Sequence, residues 1–145
     1  MRLSAKTEYA ALAALELARR HGPGEPVRIR AICEAEGVPA RFLVQILLQL
    51  KAAGIVTSVR GASGGYRLAL PPDEITLDDV RRAVEGQGEG VAPVSVALAG
   101  RSRAAAALAA AWGDAADAEA DSLRRVTLAD LAARCRPAAE AMYYI

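Results

Sequence analysis

Two short stretches and a pair of cysteines hold the residues best suited to chemistry. The first stretch is Gly61-Ala62-Ser63-Gly64-Gly65, where missing side chains let backbone amides approach an anion. A phosphate loop would continue with a lysine and a serine or threonine opening a helix, whereas Tyr66, Arg67 and Leu68 follow here, which is strand chemistry. As the tip of a hairpin the same glycines keep the loop thin, and Arg60 at its edge can lie along a phosphate backbone or enter a minor groove. A plain turn beside a solvated arginine is the other reading. The second stretch sets Arg41 and Gln45 one helical turn apart, with Val44 beside them. The two donors suit phosphates and the edges of guanine and adenine, and Val44 suits a thymine methyl; an ordinary surface helix has the same pattern.

Cys33 and Cys135 are too few for a disulfide framework and wrongly spaced for a zinc motif. As redox thiols, Cys33 would disturb its helix on oxidation, and Cys135 has Arg134 and Arg136 to favour a thiolate. The plainer reading makes Cys33 a small buried hydrophobe. A single histidine, His21, cannot be combined into a nucleophilic triad or an acid-base pair, so no enzyme is expected. Asp114, Asp117, Glu119 and Asp121 read as a solvated face. No metal and no cofactor is expected.

The elements that must position these residues follow from spacing. Ser4 is a good N-cap for a helix running through Tyr9, Leu12, Leu15 and Leu17 to Arg20, stopped by His21-Gly22-Pro23-Gly24. Residues 28–36 fit a shorter helix with Ile29, Ile32 and Cys33 inward, ended by Gly37. Pro39 opens a third helix whose stripe Leu43, Ile46, Leu47, Leu50 is apolar, with Arg41, Val44, Gln45 and Leu48 on another face, and Gly54 ends it. Residues 55–60 and 66–70 read as strands. Helix, short helix, helix and hairpin is the order of a winged helix-turn-helix. Thr76 with Asp79 caps a further helix through Val80 and Val84, ended by Gly86. Residues 86–100 read as a linker, Ser102 to Arg125 as a long alanine-rich helix, and Thr127 with Asp130 as the cap of a last helix, Leu128 to Arg134. The expected class is mainly α with a small β-hairpin wing, divided into 1–72 and 73–145.

Composition agrees. The chain has 145 residues, 53% of them hydrophobic, but its 34 alanines leave only about 30% as larger hydrophobes. No apolar run approaches the ~20 residues of a membrane span, and Arg2, Lys6 and Glu8 break any leader at the start, so a soluble, cytoplasmic protein without membrane contact is expected. The net charge of +1 conceals ten basic against five acidic residues in 1–70 and eight against twelve in 71–145. Arg2, Lys6, Arg28 and Arg30 add positive charge near both ends of the helix-turn-helix, a footprint suited to a polyanion.

Four segments make the chain resemble a known family. They are Met1-Arg2-Leu3-Ser4-Ala5-Lys6-Thr7-Glu8-Tyr9-Ala10, Phe42-Leu43-Val44-Gln45-Ile46-Leu47, Ser58-Val59-Arg60-Gly61-Ala62-Ser63-Gly64-Gly65-Tyr66 and Val126-Thr127-Leu128-Ala129-Asp130-Leu131. Over about residues 1 to 132 the chain is similar to the Rrf-two family of bacterial transcription regulators, which includes IscR, NsrR and BadM types. The resemblance implies a homodimer, with each winged helix-turn-helix reading one half-site of a pseudo-palindromic double-stranded operator, as a repressor would. By position, Arg2, Ser4, Lys6 and Arg28 would contact the DNA backbone, with Arg30 adding charge. Arg41, Gln45 and Val44 would face the major groove, and Arg60 with Ser63, Gly64 and Gly65 the minor groove. The long helix would pair with its partner's; its stripe of Leu108, Trp112, Ala115, Ala116 and Leu123 is the expected seam, although Trp112 is read first as a core anchor and second as the wall of an effector pocket.

Two departures matter. Iron-sulfur members carry three cysteines between the helix after the wing and the long helix, and residues 86–103 contain none, so no cluster is expected. A glutamate common in the reading helix is Val44 here, which exchanges an acceptor for cytosine amino groups for an apolar surface. Any signal would then act through an unidentified small-molecule effector, thiol oxidation or a partner protein. The competing reading is a winged-helix interaction or effector-binding module without specific DNA binding, which would have no reason to keep Arg2, Lys6, Arg41, Gln45 and Arg60.

Overall fold

The structure is a computed structural model that describes residues 3–22, 25–86 and 100–137. The first helix, α1 (Ala5–Arg19), begins where the Ser4 hydroxyl oxygen accepts the Thr7 amide at 3.2 Å. Its inner face is Ala10, Ala13, Ala14 and Leu17, all buried; the small alanines let neighbouring backbones approach closely. The next helix, α2 (Ile29–Glu36), stops at Gly37, whose φ of 66° is left-handed and suits glycine. Pro39 then leads into α3 (Ala40–Ala52), which buries Leu43, Ile46, Leu47 and Leu50 on one stripe, as its spacing predicts.

Strands β1 (Val56–Val59) and β2 (Gly65–Leu68) pair antiparallel, Val56 opposite Leu68 and Val59 opposite Gly65. They are shorter than the spans 55–60 and 66–70, because Arg60 to Gly64 form the turn and Leu70 has left the ladder. An unforeseen bridge widens the wing. Val27 exchanges both backbone hydrogen bonds with Tyr66, at 2.7 and 2.8 Å. A 3₁₀ turn, Pro72–Glu74, leads to α4 (Leu77–Glu85), whose capping box of Thr76 and Asp79 is complete. After residues 87–99, where most of the expected linker lies outside the described residues, come α5 (Arg103–Arg124) and α6 (Leu128–Arg134). Thr127 and Asp130 form the second capping box, whose backbone and side-chain hydrogen bonds hold the Asp130 carboxyl below its usual range. The tail from 138 onward also lies outside the described residues.

The core does not stop at the hairpin. Ile75, Val80, Ala83, Val84 and Leu128 join α1, α3 and the wing in one buried cluster, which packs the second half onto the first, and backbone bonds from Leu77 to Val126 and from Leu128 to Ile75, both 2.9 Å, tie the start of α6 to the start of α4. By contrast α5 lies largely outside this core. Its one buried residue is Ala109, and its main packing partner is α4. The contact is reinforced by charge: Asp78, fully buried on α4, meets Arg81 at 2.7 Å, Arg82 at 3.1 Å and Arg124 of α5 at 3.4 Å.

Two expectations are corrected here. Trp112 is no core anchor, being 58% exposed, because it projects from a helix that only skirts the core. Cys33 is half-buried at the edge of the cluster instead of inside it.

Candidate nucleic-acid interface

The face of α3 opposite the core presents Arg41, Val44, Gln45 and Leu48 to solvent, since burying 43, 46, 47 and 50 leaves this set on the outside of a 3.6-residue helix. The start of α1 lies alongside. Between the two helix starts runs a groove of about 490 Å³ lined by Ala5, Lys6, Tyr9, Arg41, Phe42, Gln45 and Ile46. Thus Lys6, Arg41 and Gln45, separated by some forty positions in the chain, share one surface. Aromatic rings, overlooked as site residues at the sequence level, form its wall. Tyr9 and Phe42 stack at 6.1 Å between centroids and 30° between planes, and the Arg41 guanidinium sits 4.8 Å over the Phe42 ring. That contact holds the exposed arginine against the helix surface. The signal was present, because both aromatics lie inside the quoted family segments.

The wing is built by steric necessity. A Cβ on Gly64 would come within 2.2 Å of the Val59 carbonyl oxygen, and one on Gly65, whose φ is 153°, within 2.4 Å of the Val27 carbonyl oxygen. Gly64 is buried, so it shapes the turn from beneath while Arg60 and Ser63 form its exposed surface. Arg28 donates from Nη2 to the Ala62 carbonyl, tying the wing tip to the start of α2, a link that spacing along the chain did not suggest. Arg30 is occupied locally by Glu34, at 2.9 Å between two exposed side chains. Lys51, at the end of α3, donates to the Ser58 hydroxyl at 2.7 Å and braces the first wing strand. Arg2 lies outside the described residues.

Glu16 marks the junction of α1 and α2. It is buried and accepts from Arg20 at 2.6 Å, with Arg19 at 3.5 Å. Burial would raise its carboxyl, but a hydrogen bond with Glu36 and those of Arg20, with the arginine charges, hold it below its ordinary value. Glu36, in the last turn of α2, is raised by burial, then by the hydrogen bond and charge of Glu16.

Cys33 is on α2 and Cys135 caps α6, and among the described residues no three histidine, cysteine or acidic side chains come together around a metal-sized space. Among the same residues no helix is long and apolar enough to cross a membrane.

Known proteins share this fold. Residues 3–134 match the family described as "Rrf2: Iron-dependent Transcriptional regulator". The chain is 37% identical over 146 residues to the HTH-type transcriptional regulator CymR of Bacillus subtilis, covering 100% of each. The solved structure of CymR, the global cysteine regulator of B. subtilis, superposes with a TM-score of 0.76 at 33% identity, covering 94% of this chain and 99% of that one. T. potens IscR superposes with a TM-score of 0.72 at 30% identity, covering 94% and 89%. With its winged helix-turn-helix fold and a family match along nearly its whole length, this chain belongs to the Rrf2 family of transcriptional regulators.

Proposed function

We propose that the protein is a sequence-specific DNA-binding homodimer that represses transcription, with residues 1–72 reading DNA and residues 73–145 holding the dimer. In this reading α3 enters the major groove with Arg41, Val44 and Gln45 toward base edges, and Lys6 and Arg28 meet phosphates. Arg60 follows the wing into the minor groove. The observation that carries the reading is the convergence of Lys6, Arg41 and Gln45 on one groove beside an exposed α3 face. Val44 in place of an acidic acceptor favours thymine over cytosine at its position, so the operator differs from those read by glutamate-bearing relatives. The partner copy is expected along α5, where Leu108 and Trp112 are 48% and 58% exposed. The regulator works in the cytoplasm without an iron-sulfur cluster. Its mode of control is an unidentified small-molecule effector or thiol chemistry.

Selection of bound genomic fragments by the purified protein, followed by gel shifts, tests this. A pseudo-palindromic sequence bound by two copies is expected, with affinity falling steeply as salt rises, because each lysine or arginine on a phosphate releases condensed counterions. Absence of any specific complex at low salt would refute it.

A further inference from the structure

A hydrogen-bond chain runs from the last turn of α4 to the first residue before α1. The Thr7 hydroxyl donates to the Glu85 carboxylate at 2.7 Å, and the Thr7 and Ser4 hydroxyl oxygens lie 2.9 Å apart. Thr7 is buried, whereas Ser4 and Glu85 are exposed. The direction of the chain follows from counting protons. An ionised carboxylate only accepts, and a hydroxyl has one hydrogen to give. Thr7 spends its hydrogen on Glu85, so the bond between the hydroxyls must be donated by Ser4. The Ser4 oxygen also accepts the Thr7 amide, at 3.2 Å. Its hydrogen therefore points into the protein, and what it turns outward is a lone pair. A phosphate oxygen is also an acceptor, so the two repel.

We propose that Thr7 and Glu85 are positioning residues that keep the Ser4 hydroxyl turned away from the DNA backbone, and so restrain how tightly the start of α1 grips an operator. The proposal rests on the DNA-binding reading above. When Glu85 withdraws, Thr7 is free to donate to Ser4, and the Ser4 hydrogen rotates outward to a phosphate oxygen. One bond is exchanged for another, no proton leaves either hydroxyl, and a charge-assisted contact to DNA is gained. Because Glu85 belongs to α4, which also holds α5 through Asp78 and Arg124, a shift of α4 relative to α1 is felt at the DNA-facing helix start.

The test is a double-mutant cycle on operator affinity. Thr7→Val keeps the shape of the buried side chain and the net charge but removes the acceptor that holds the Ser4 hydrogen. It is expected to tighten binding roughly three- to tenfold. In a Ser4→Gly background, where glycine still serves as an N-cap, the same change is expected to have no effect. Glu85→Ala also removes a negative charge, so some gain persists in Ser4→Gly, and the difference between backgrounds measures the chain. Unchanged binding by Thr7→Val, or equal gains with and without Ser4, would overturn the proposal while leaving DNA binding intact. Failure of the wild type to bind any duplex would overturn both. A DNA-free measurement guards against misfolded variants: the buried Thr7 hydroxyl proton should exchange slowly in NMR spectra of the wild type and rapidly in Glu85→Ala. A rapidly exchanging Thr7 hydroxyl in the wild type would also overturn it.

Discussion

Arg60 stands exposed where β1 gives way to the wing tip, beyond the core residues that define the hairpin. Its removal should therefore touch binding and spare the fold. Arg60→Ala is expected to weaken operator binding by about 1–3 kcal/mol, measured by gel shift, with an unchanged thermal melt. Glu36 is the opposite kind of residue, one whose charge acts on the fold. Its carboxyl is raised above the ordinary glutamate value of 4.5 by burial and by Glu16, so the stability it contributes is complete at low pH and is lost as pH rises through its folded value. Glu16 is lowered, and its contribution is present at neutral pH and lost as pH falls. Glu36→Gln gives Glu16 a permanent amide donor. It is expected to raise stability at pH 7 by about 0.5–1.5 kcal/mol and to change little near pH 4, as melts at the two pH values will show.

At the scale of elements, α5 stands apart. A helix of 22 residues with one buried side chain leaves its apolar stripe in water unless something covers it, and most helical stability comes from tertiary burial. Leu123 is half-buried against its own chain, whereas Trp112 is not, so Trp112 is the cleaner probe of the seam. Trp112→Asp should give a folded monomer with native helical content, seen by light scattering and circular dichroism, that binds an operator at least tenfold more weakly because each copy then engages one half-site. A variant that stays dimeric at micromolar concentration would move the interface elsewhere.

For the molecule as a whole, control depends on which donors exist and how the halves are joined. On the proposed reading control does not run through a cluster, since such centres usually take four protein ligands, mostly thiolates, and the chain offers Cys33 and Cys135. Protein purified anaerobically with added iron is expected to be colourless and to bind its operator equally well after chelator treatment. Stoichiometric iron and sulfide would reverse that conclusion. The halves are joined by apolar packing of α1 and α3 against α4 and of α1 against α6, while within the second half the buried Asp78 ties α5 to α4, because an uncompensated charge there would be costly and its arginine partners come from both helices.

Local signals specify most of the elements. The two capping boxes, the stop at Gly37 and the apolar stripe of α3 appear where spacing puts them, because each rests on bonds and contacts between residues three or four apart. Arg41 and Gln45 were legible as an outward pair for the same reason. What spacing could not supply was every relation between distant segments. The stack of Tyr9 on Phe42, the reach of Arg28 to Ala62, the bridge of Val27 with Tyr66 and the chain from Ser4 to Glu85 join residues that only long-range packing brings together. Trp112 shows the limit most plainly: periodicity places it on an apolar stripe, but whether that stripe meets a core, water or a second chain depends on where α4 holds the helix.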